Sequence, residues 1–454
     1  MDECCGGAAH PPRGLIDRRA FTRLLSAAGL GAAGMSLVGC GGDSEILTPT
    51  TPPSQDPPQP PYPSAADRAI GVAKGLVSEA EPVSDGLRWA VVDGGAHTYP
   101  EDLYSGQAGV LSFLAEVHRF RPDPELEEAL RLGGAWLRAR PPANSNALYE
   151  GNAGRAWAFV SLHEALGGPS TWLDEALGLA APFAQALDGL PGDLINGWAG
   201  RGLFLLRLYR VTGDARWLDD ARTVADRMLE TAVSSGDGIK FPSFTLADGR
   251  TVFYTGMSHG SAGAGYFLSR LADALPESEG AGYVASAMSV AAWLAGIRRT
   301  VGQGVNWYRR EPDQTDQHQI QWCHGAPGIG IFHAELFRVT GIEAYLETAL
   351  LCATHVFAQG GQHAFPVQCH GVAGNAELFI KLYRTTGHPE WMERARAFEE
   401  IVWSRRYRDL YYPCWPSGDG NNRNNPGLMT GTAGVGWFYL QLAMDGEFGG
   451  PITD

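Results

Sequence analysis

Apolar residues in this chain are gathered into dense runs at a fixed offset from a short glycine motif. The runs VLSFLAEVHRF (110–120), RAWAFVSLHEAL (155–166), RGLFLLRLYRVTG (201–213), IGIFHAELFRVTG (329–341) and NAELFIKLYRTTG (375–387) each follow a Gly-x-Ala/Pro-Gly tetrapeptide. They are apolar on nearly every face, which predicts buried helices. Thirteen or fourteen residues after the last glycine of the motif comes a second pattern, Gly-x-x-x-Trp/Tyr-Leu/Met-x-x-Ala, at 168–176, 213–221, 341–349 and 387–395. That interval holds one helix of about three turns and a tight turn. The helix opened by the second pattern sets acids and arginines on one face, so it is amphipathic. Each repeat therefore reads as an inner helix followed by an outer one.

The tetrapeptide occurs seven times in the body of the chain, opening at Gly106, Gly151, Gly197, Gly260, Gly325, Gly371 and Gly431, with steps of 45, 46, 63, 65, 46 and 60 residues. A period of this size marks a repeated supersecondary unit. The seventh inner run meets the C-terminus with no outer partner, while a spare amphipathic segment, AADRAIGVAKGLVSEAE (65–81), precedes the first. One missing and one spare outer helix predict a closed ring, since an open array needs polar caps at both ends. The expected fold is all-α, an (α/α)7 toroid of seven inner and seven outer helices. The seven glycines read as architecture, allowing tight turns where the helix starts converge.

Chemistry is expected where the repeats differ. The residue before each first glycine is Ser105, Glu150, Asn196, His259, His324, His370 or Thr430 in turn. Three consecutive repeats carry histidine, and two add a cysteine one position earlier, Cys323 and Cys369. In a ring these five side chains share one rim. Two thiolates and an imidazole suit a zinc site with an open position. The pattern favours a metal over a Cys323–Cys369 disulfide, because histidine accompanies both cysteines. Cys352 falls in an outer apolar helix and reads as core. Cys414, in a loop, is uninformative, and His318, His333 and His363 read as structural candidates.

Composition narrows the class. With 454 residues, 44% apolar, 19% charged and a net charge of −15, the chain has a large core and no basic run in its body. Nucleic acid is excluded as a partner on that ground. The N-terminus is set apart. DRRAFTRLL (17–25), an apolar run to Val38 and Leu37-Val38-Gly39-Cys40 resemble a twin-arginine export signal ending in a lipobox, with lipid on Cys40. Residues 1–40 are thus expected to be a lipoprotein signal, 41–64 a proline-rich disordered tether and 65–454 the helical domain. The expected location is the outer side of the bacterial inner membrane, or the outer membrane, with contact through the lipid alone. A monomer is expected.

The motifs GMSHGSAG (256–263), WCHGAPG (322–328) and QCHGVAGNAE (368–377), in that order, resemble the lanthionine synthetase C family of cyclases. WCHGAPG is shared with the eukaryotic lanthionine synthetase C-like proteins. The resemblance covers about residues 65–450. It implies a double ring of seven inner and seven outer helices and one Zn2+ held by Cys323, Cys369 and His370. His259 would stand beside the metal as an acid or base, and Asp193, in DLING, would match a family aspartate. Two positions depart from the bacterial cyclases, which carry Tyr where this chain has His324 and Arg where it has Gln319. The implied reaction is Michael addition of a thiol to dehydroalanine or dehydrobutyrine, forming the C–S bond of a thioether. The partner would be a peptide with dehydroamino acids, a small thiol, or both, with the proton coming from His259 or His324. Two other readings are an exported zinc protein that binds thiols or peptides without turnover and a carbohydrate-active toroid. The last would need a pair of rim carboxylates, for which only Asp193 and Glu150 offer themselves.

Overall fold

The structure, a computed structural model, describes residues 62–93, 95–168, 171–185, 189–312, 319–407, 410–418 and 425–451. The expected signal with Cys40, the tether up to residue 61 and His318 lie outside these. Fourteen helices run in chain order among the described residues. Outer helix α1 (Ala65–Glu79) comes first. Six inner–outer pairs follow: α2 (Gln107–Phe120) with α3 (Pro124–Arg138), α4 (Asn152–Leu166) with α5 (Thr171–Ala180), α6 (Trp198–Thr212) with α7 (Ala215–Glu230), α8 (Ser261–Ala274) with α9 (Glu277–Gly296), α10 (Ala326–Thr340) with α11 (Glu343–Gln359), and α12 (Val372–Thr386) with α13 (Pro389–Ser404). Inner helix α14 (Thr432–Ala443) ends the series. None of the described helices is long and apolar enough to cross a membrane.

The ring closes as the helix arithmetic predicts. The spare helix α1 packs along α14, and α14 also packs against α2. Gly436 makes that seam possible, because a Cβ there would lie 2.3 Å from the Phe113 ring of α2 and 2.7 Å from Val72 of α1. Helix α1 starts with a capping box in which Ser64 Oγ accepts from Asp67 N–H and Asp67 Oδ2 accepts from Ser64 N–H. Tyr62 stands edge-on to Trp403, with ring centroids 5.9 Å apart. The packed domain thus includes Tyr62–Ser64, the last three residues of the expected tether.

The first glycine of every tetrapeptide is the N-cap of an inner helix, with no side-chain cap. Of the seven, Gly325 has φ at +103°, and a Cβ there would sit 2.0 Å from the Gln319 carbonyl oxygen. Two residues before each glycine, the backbones join in a circle. The N–H of Tyr104 donates to Tyr149 O, Tyr149 to Ile195, Ile195 to Ser258, Ser258 to Cys323, Cys323 to Cys369, Cys369 to Met429 and Met429 back to Tyr104. These seven bonds span 2.8 to 3.3 Å and satisfy groups that are buried at the crowded end of the barrel.

Short antiparallel hairpins, absent from the sequence expectation, stitch the outer layer. Strands β1 (Glu81–Val83) and β2 (Gly86–Arg88) follow α1, and β3 (Val91–Asp93) pairs with β4 (Ala96–Thr98). Strands β5 (Val233–Ser235) and β6 (Gly238–Lys240) follow α7. Strand β8 (Thr251–Tyr254) pairs with both β7 (Phe244–Thr245) and β11 (Arg310–Glu311), and β9 (Arg299–Val301) with β10 (Gly304–Asn306) follow α9. The hairpins after α1, α7 and α9 pack on α3, α9 and α11, the next outer helix in each case. Tryptophans lock the layer. The indole N–H of Trp89 donates to Leu76 O at 2.7 Å, Trp307 to Leu294 O at 2.7 Å and Trp415 to Val402 O at 2.8 Å. Each of these carbonyls lies in the last turn of an outer helix, and those of Leu294 and Val402 also accept from the N–H of the C-cap residues Ile297 and Arg405.

Candidate metal centre

The circle of backbone bonds decides which side chains meet. At five of its seven positions, Tyr104, Ile195, Ser258, Cys323 and Cys369 line one cavity of about 290 Å³. Four of the residues next in chain, Glu150, His259, His324 and His370, line it too, as do Arg309, Gln319 and Gln321. Neighbouring repeats present equivalent positions side by side, so Cys323 and Cys369 are adjacent because their backbones share a hydrogen bond of 3.1 Å.

One ligand atom each from Cys323, Cys369 and His370 lie within 4.8 Å of one another. Both cysteines are buried and in no disulfide, as are Cys352 and Cys414. Burial pushes the Cys323 thiol well above its usual value, and the Cys323 S–H, together with His370, holds Cys369 down. His370 Nε2 lies 2.9 Å from Gly418 O, so it is the donor nitrogen there and leaves Nδ1 as the lone-pair atom. Gly418 has no room for a side chain, since a Cβ would stand 2.5 Å from His370 Nε2. Two thiols, one oriented imidazole and an adjacent cavity fit a zinc ion with an open position.

His259 stands apart from that trio. Its Nδ1 is 3.1 Å from Asp193 Oδ2, and Asp193 is itself fixed by the Asn196 N–H at 2.8 Å. Burial disfavours the charged imidazole, but the Asp193 carboxylate outweighs it and raises the His259 pKa above 6.5. His324 behaves oppositely. Burial, then the charges of His259, Arg309 and His370, push it down to about 3. Its ring packs 5.3 Å from that of Tyr254 and 6.2 Å from that of His259. Asp193 is 4% exposed and committed to His259, whereas Glu150 is exposed, so the two do not form a matched carboxylate pair.

The other candidates fall elsewhere. Cys352 is core within α11, and His333 is buried with Nδ1 2.9 Å from Ile329 O. His363 Nε2 is 3.0 Å from Gln321 Nε2, which joins it to the site through that amide. Four participants escape the repeat logic. Tyr254 and Arg309 lie on or beside the inserted hairpins, Gln321 is outside the counted positions, and Gly418 belongs to a loop. A guanidinium in the insert NWYRREP was the one readable signal among them.

Residues 97–449 match the family described as Lanthionine synthetase C-like protein. A Danio rerio protein named Glutathione S-transferase LANCL1 is 38% identical over 88 residues, 19% of this chain and 21% of that one. LanC-like protein GCL1 of Arabidopsis thaliana is 39% identical over 83 residues, 18% of this chain and 19% of that one. The aligned stretch thus spans about a fifth of each curated relative. The solved structure of nisin cyclase superposes with a TM-score of 0.59 at 15% identity, covering 77% of this chain and 90% of its own, a likeness of fold. By its matched span, the chain belongs to the lanthionine synthetase C-like family.

Proposed function

We propose that this protein forms thioethers by adding a thiol to the β-carbon of a dehydroalanine or dehydrobutyrine residue. The observation that carries the reading is the convergence of Cys323, Cys369 and His370 with the His259–Asp193 pair at a single cavity. Cys323, Cys369 and His370 would hold one zinc ion. When bound, zinc lowers the pKa of a coordinated thiol so that thiolate is available near neutral pH. His370 is held in the ligating orientation by Gly418 O. As sulfur bonds to the β-carbon, the displaced electron pair moves to the substrate carbonyl, and the α-carbon then takes a proton. His259 is the donor, from Nε2, because Asp193 occupies Nδ1 and stabilises the protonated ring. His324, whose pKa burial pushes down to about 3, packs the cavity wall, and as a neutral imidazole it is a poor proton donor. Export by the twin-arginine route and lipid anchoring at Cys40 belong to the same proposal, since that route carries folded proteins and lets metal load beforehand.

Replacing His259 by Ala tests the assignment on a dehydroalanine peptide and a thiol. Turnover should drop by about 100-fold or more, while metal analysis still finds one zinc per chain. Undiminished turnover would remove His259 from the mechanism. A protein that binds zinc and thiol but shows no thioether product in the unsubstituted form would instead be a binding protein.

A further inference from the structure

Tyr104 takes no part in the proposed thiol addition, yet it lines the cavity with Cys369 and His370. In the first repeat it occupies the position that Cys369 occupies in the sixth, two residues before the glycine. In an open array the two would stand far apart. Ring closure leaves one residue between them, Met429, whose carbonyl accepts from Cys369 N–H at 2.8 Å and whose N–H donates to Tyr104 O at 2.8 Å. The long Tyr104 side chain spans that gap, and its O–H donates to Cys369 Sγ. The donor is held by its ring. Tyr104 stands edge-on to Tyr149 with centroids 6.0 Å apart, and Tyr149 edge-on to Trp322 at 6.2 Å. Tyr149 and Trp322 are buried, so this row of rings links the first repeat to the residue before Cys323. A tyrosine has two side-chain torsions, and packing the ring fixes where the hydroxyl goes. The two cysteines are served differently, since Gln321 Oε1, an acceptor, lies 3.4 Å from Cys323 Sγ. An acceptor favours a thiol, whereas a donor favours a thiolate.

We infer that Tyr104 is a positioning residue that tunes the metal centre, its O–H taking up part of the charge on the Cys369 sulfur. The inference rests on the reading of Cys323, Cys369 and His370 as zinc ligands. Groups that hydrogen-bond to ligand atoms set how much charge a metal receives. A sulfur that shares its charge with a phenol gives less of it to zinc, so a thiol in the open position loses its proton more readily. Tyr104 thus lowers the pH at which the substrate thiol becomes thiolate, and does so through Cys369 rather than by touching the substrate.

The test is the thiolate-to-metal charge-transfer band of the cobalt(II)-substituted full chain, with Tyr104→Phe and Tyr149→Phe alongside. Y104F keeps the ring and removes the donor. Its band should move to longer wavelength, because an unshared thiolate gives up an electron at lower energy. Y149F alters the neighbouring phenol and should leave the band in place. In the zinc protein acting on a dehydroalanine peptide and mercaptoethanol, the acid limb of the kcat/KM profile should rise by about half a unit to one unit in Y104F. The alkaline limb, assigned to His259, should stay. If Y104F does not fold, fluorotyrosine at position 104, a stronger donor of nearly the same shape, should move the band to shorter wavelength instead. An unmoved band or acid limb in Y104F, an unmoved band with fluorotyrosine, or an equal shift in Y149F overturns the Tyr104 assignment and leaves the metal centre standing. A parent protein that shows no thiolate-to-cobalt band overturns the zinc reading and this assignment with it.

Discussion

Two residues outside the Cys323–Cys369–His370 trio, Asp193 and Gly418, shape this cavity at the scale of single residues. Asp193 keeps His259 protonated over a wider range than imidazole alone. The acid form is present below the raised pKa and is lost as pH rises through it. Asp193→Asn removes the charge, so the alkaline limb of the kcat/KM profile should move down by about one unit. A limb that stays in place would separate Asp193 from proton delivery. Gly418 acts through space. Gly418→Ala drives a methyl group against His370 Nε2 and breaks the bond that orients the ring. Zinc affinity, measured by chelator competition, should fall by about 10- to 100-fold, with the helical signal unchanged. Neither role was readable from the repeat. Asp193 came through resemblance, and Gly418 is one loop glycine among 59 in the chain.

At the scale of elements, inner helices exchange charge as well as apolar surface. Glu335 on α10 is fully buried and pairs with Lys381 on α12, with Arg338 on its own helix at 2.8 Å and with Arg270 on α8 at 3.7 Å. Burial alone would raise its pKa, but Lys381, Arg270 and Arg338 hold it well below the usual value. The pairing therefore stabilises the fold above the ordinary Glu range and is lost only as pH falls through the depressed value. Glu335→Gln should cost about 3 kcal/mol or more at neutral pH, because it strands the buried Lys381. Adding Lys381→Met should recover much of that loss in urea unfolding, and the penalty should shrink in acid. Helix pairs and their order were legible because the apolar runs and glycine motifs recur at set offsets. The hairpins were not, since strands of two to four residues are too short to show alternation. Two of them are followed by a tryptophan 13 residues after a carbonyl at the end of an outer helix, Trp89 and Trp307, a spacing that Trp415 repeats where no strand is described.

For the whole molecule, closure is what couples the metal centre to distant parts of the chain. The cysteines occupy two links of a seven-membered circle of backbone bonds whose last link joins Met429 to Tyr104. That final link is sealed on the outside by α1, which buries Ala65, Ala69, Val72, Ala73 and Leu76 against its neighbours. Removing α1 exposes the seam between α14 and α2, where Gly436 and Phe113 meet Val72. In a solenoid each repeat depends on its neighbours alone, so protection would be lost near the seam and kept elsewhere. In a closed circle, opening one link relaxes the curvature that holds the others in register. Hydrogen exchange distinguishes the two. In the intact domain the amides of Tyr104, Tyr149, Ile195, Ser258, Cys323, Cys369 and Met429 should exchange together and slowest, at the free energy of global unfolding. In a chain starting at residue 81 they should speed up as a set, and zinc retention should fall with them, although Cys323 lies two links from the seam. Loss of protection confined to Tyr104 and Met429, with zinc kept, would show that the ring behaves as an open array whose ends merely touch.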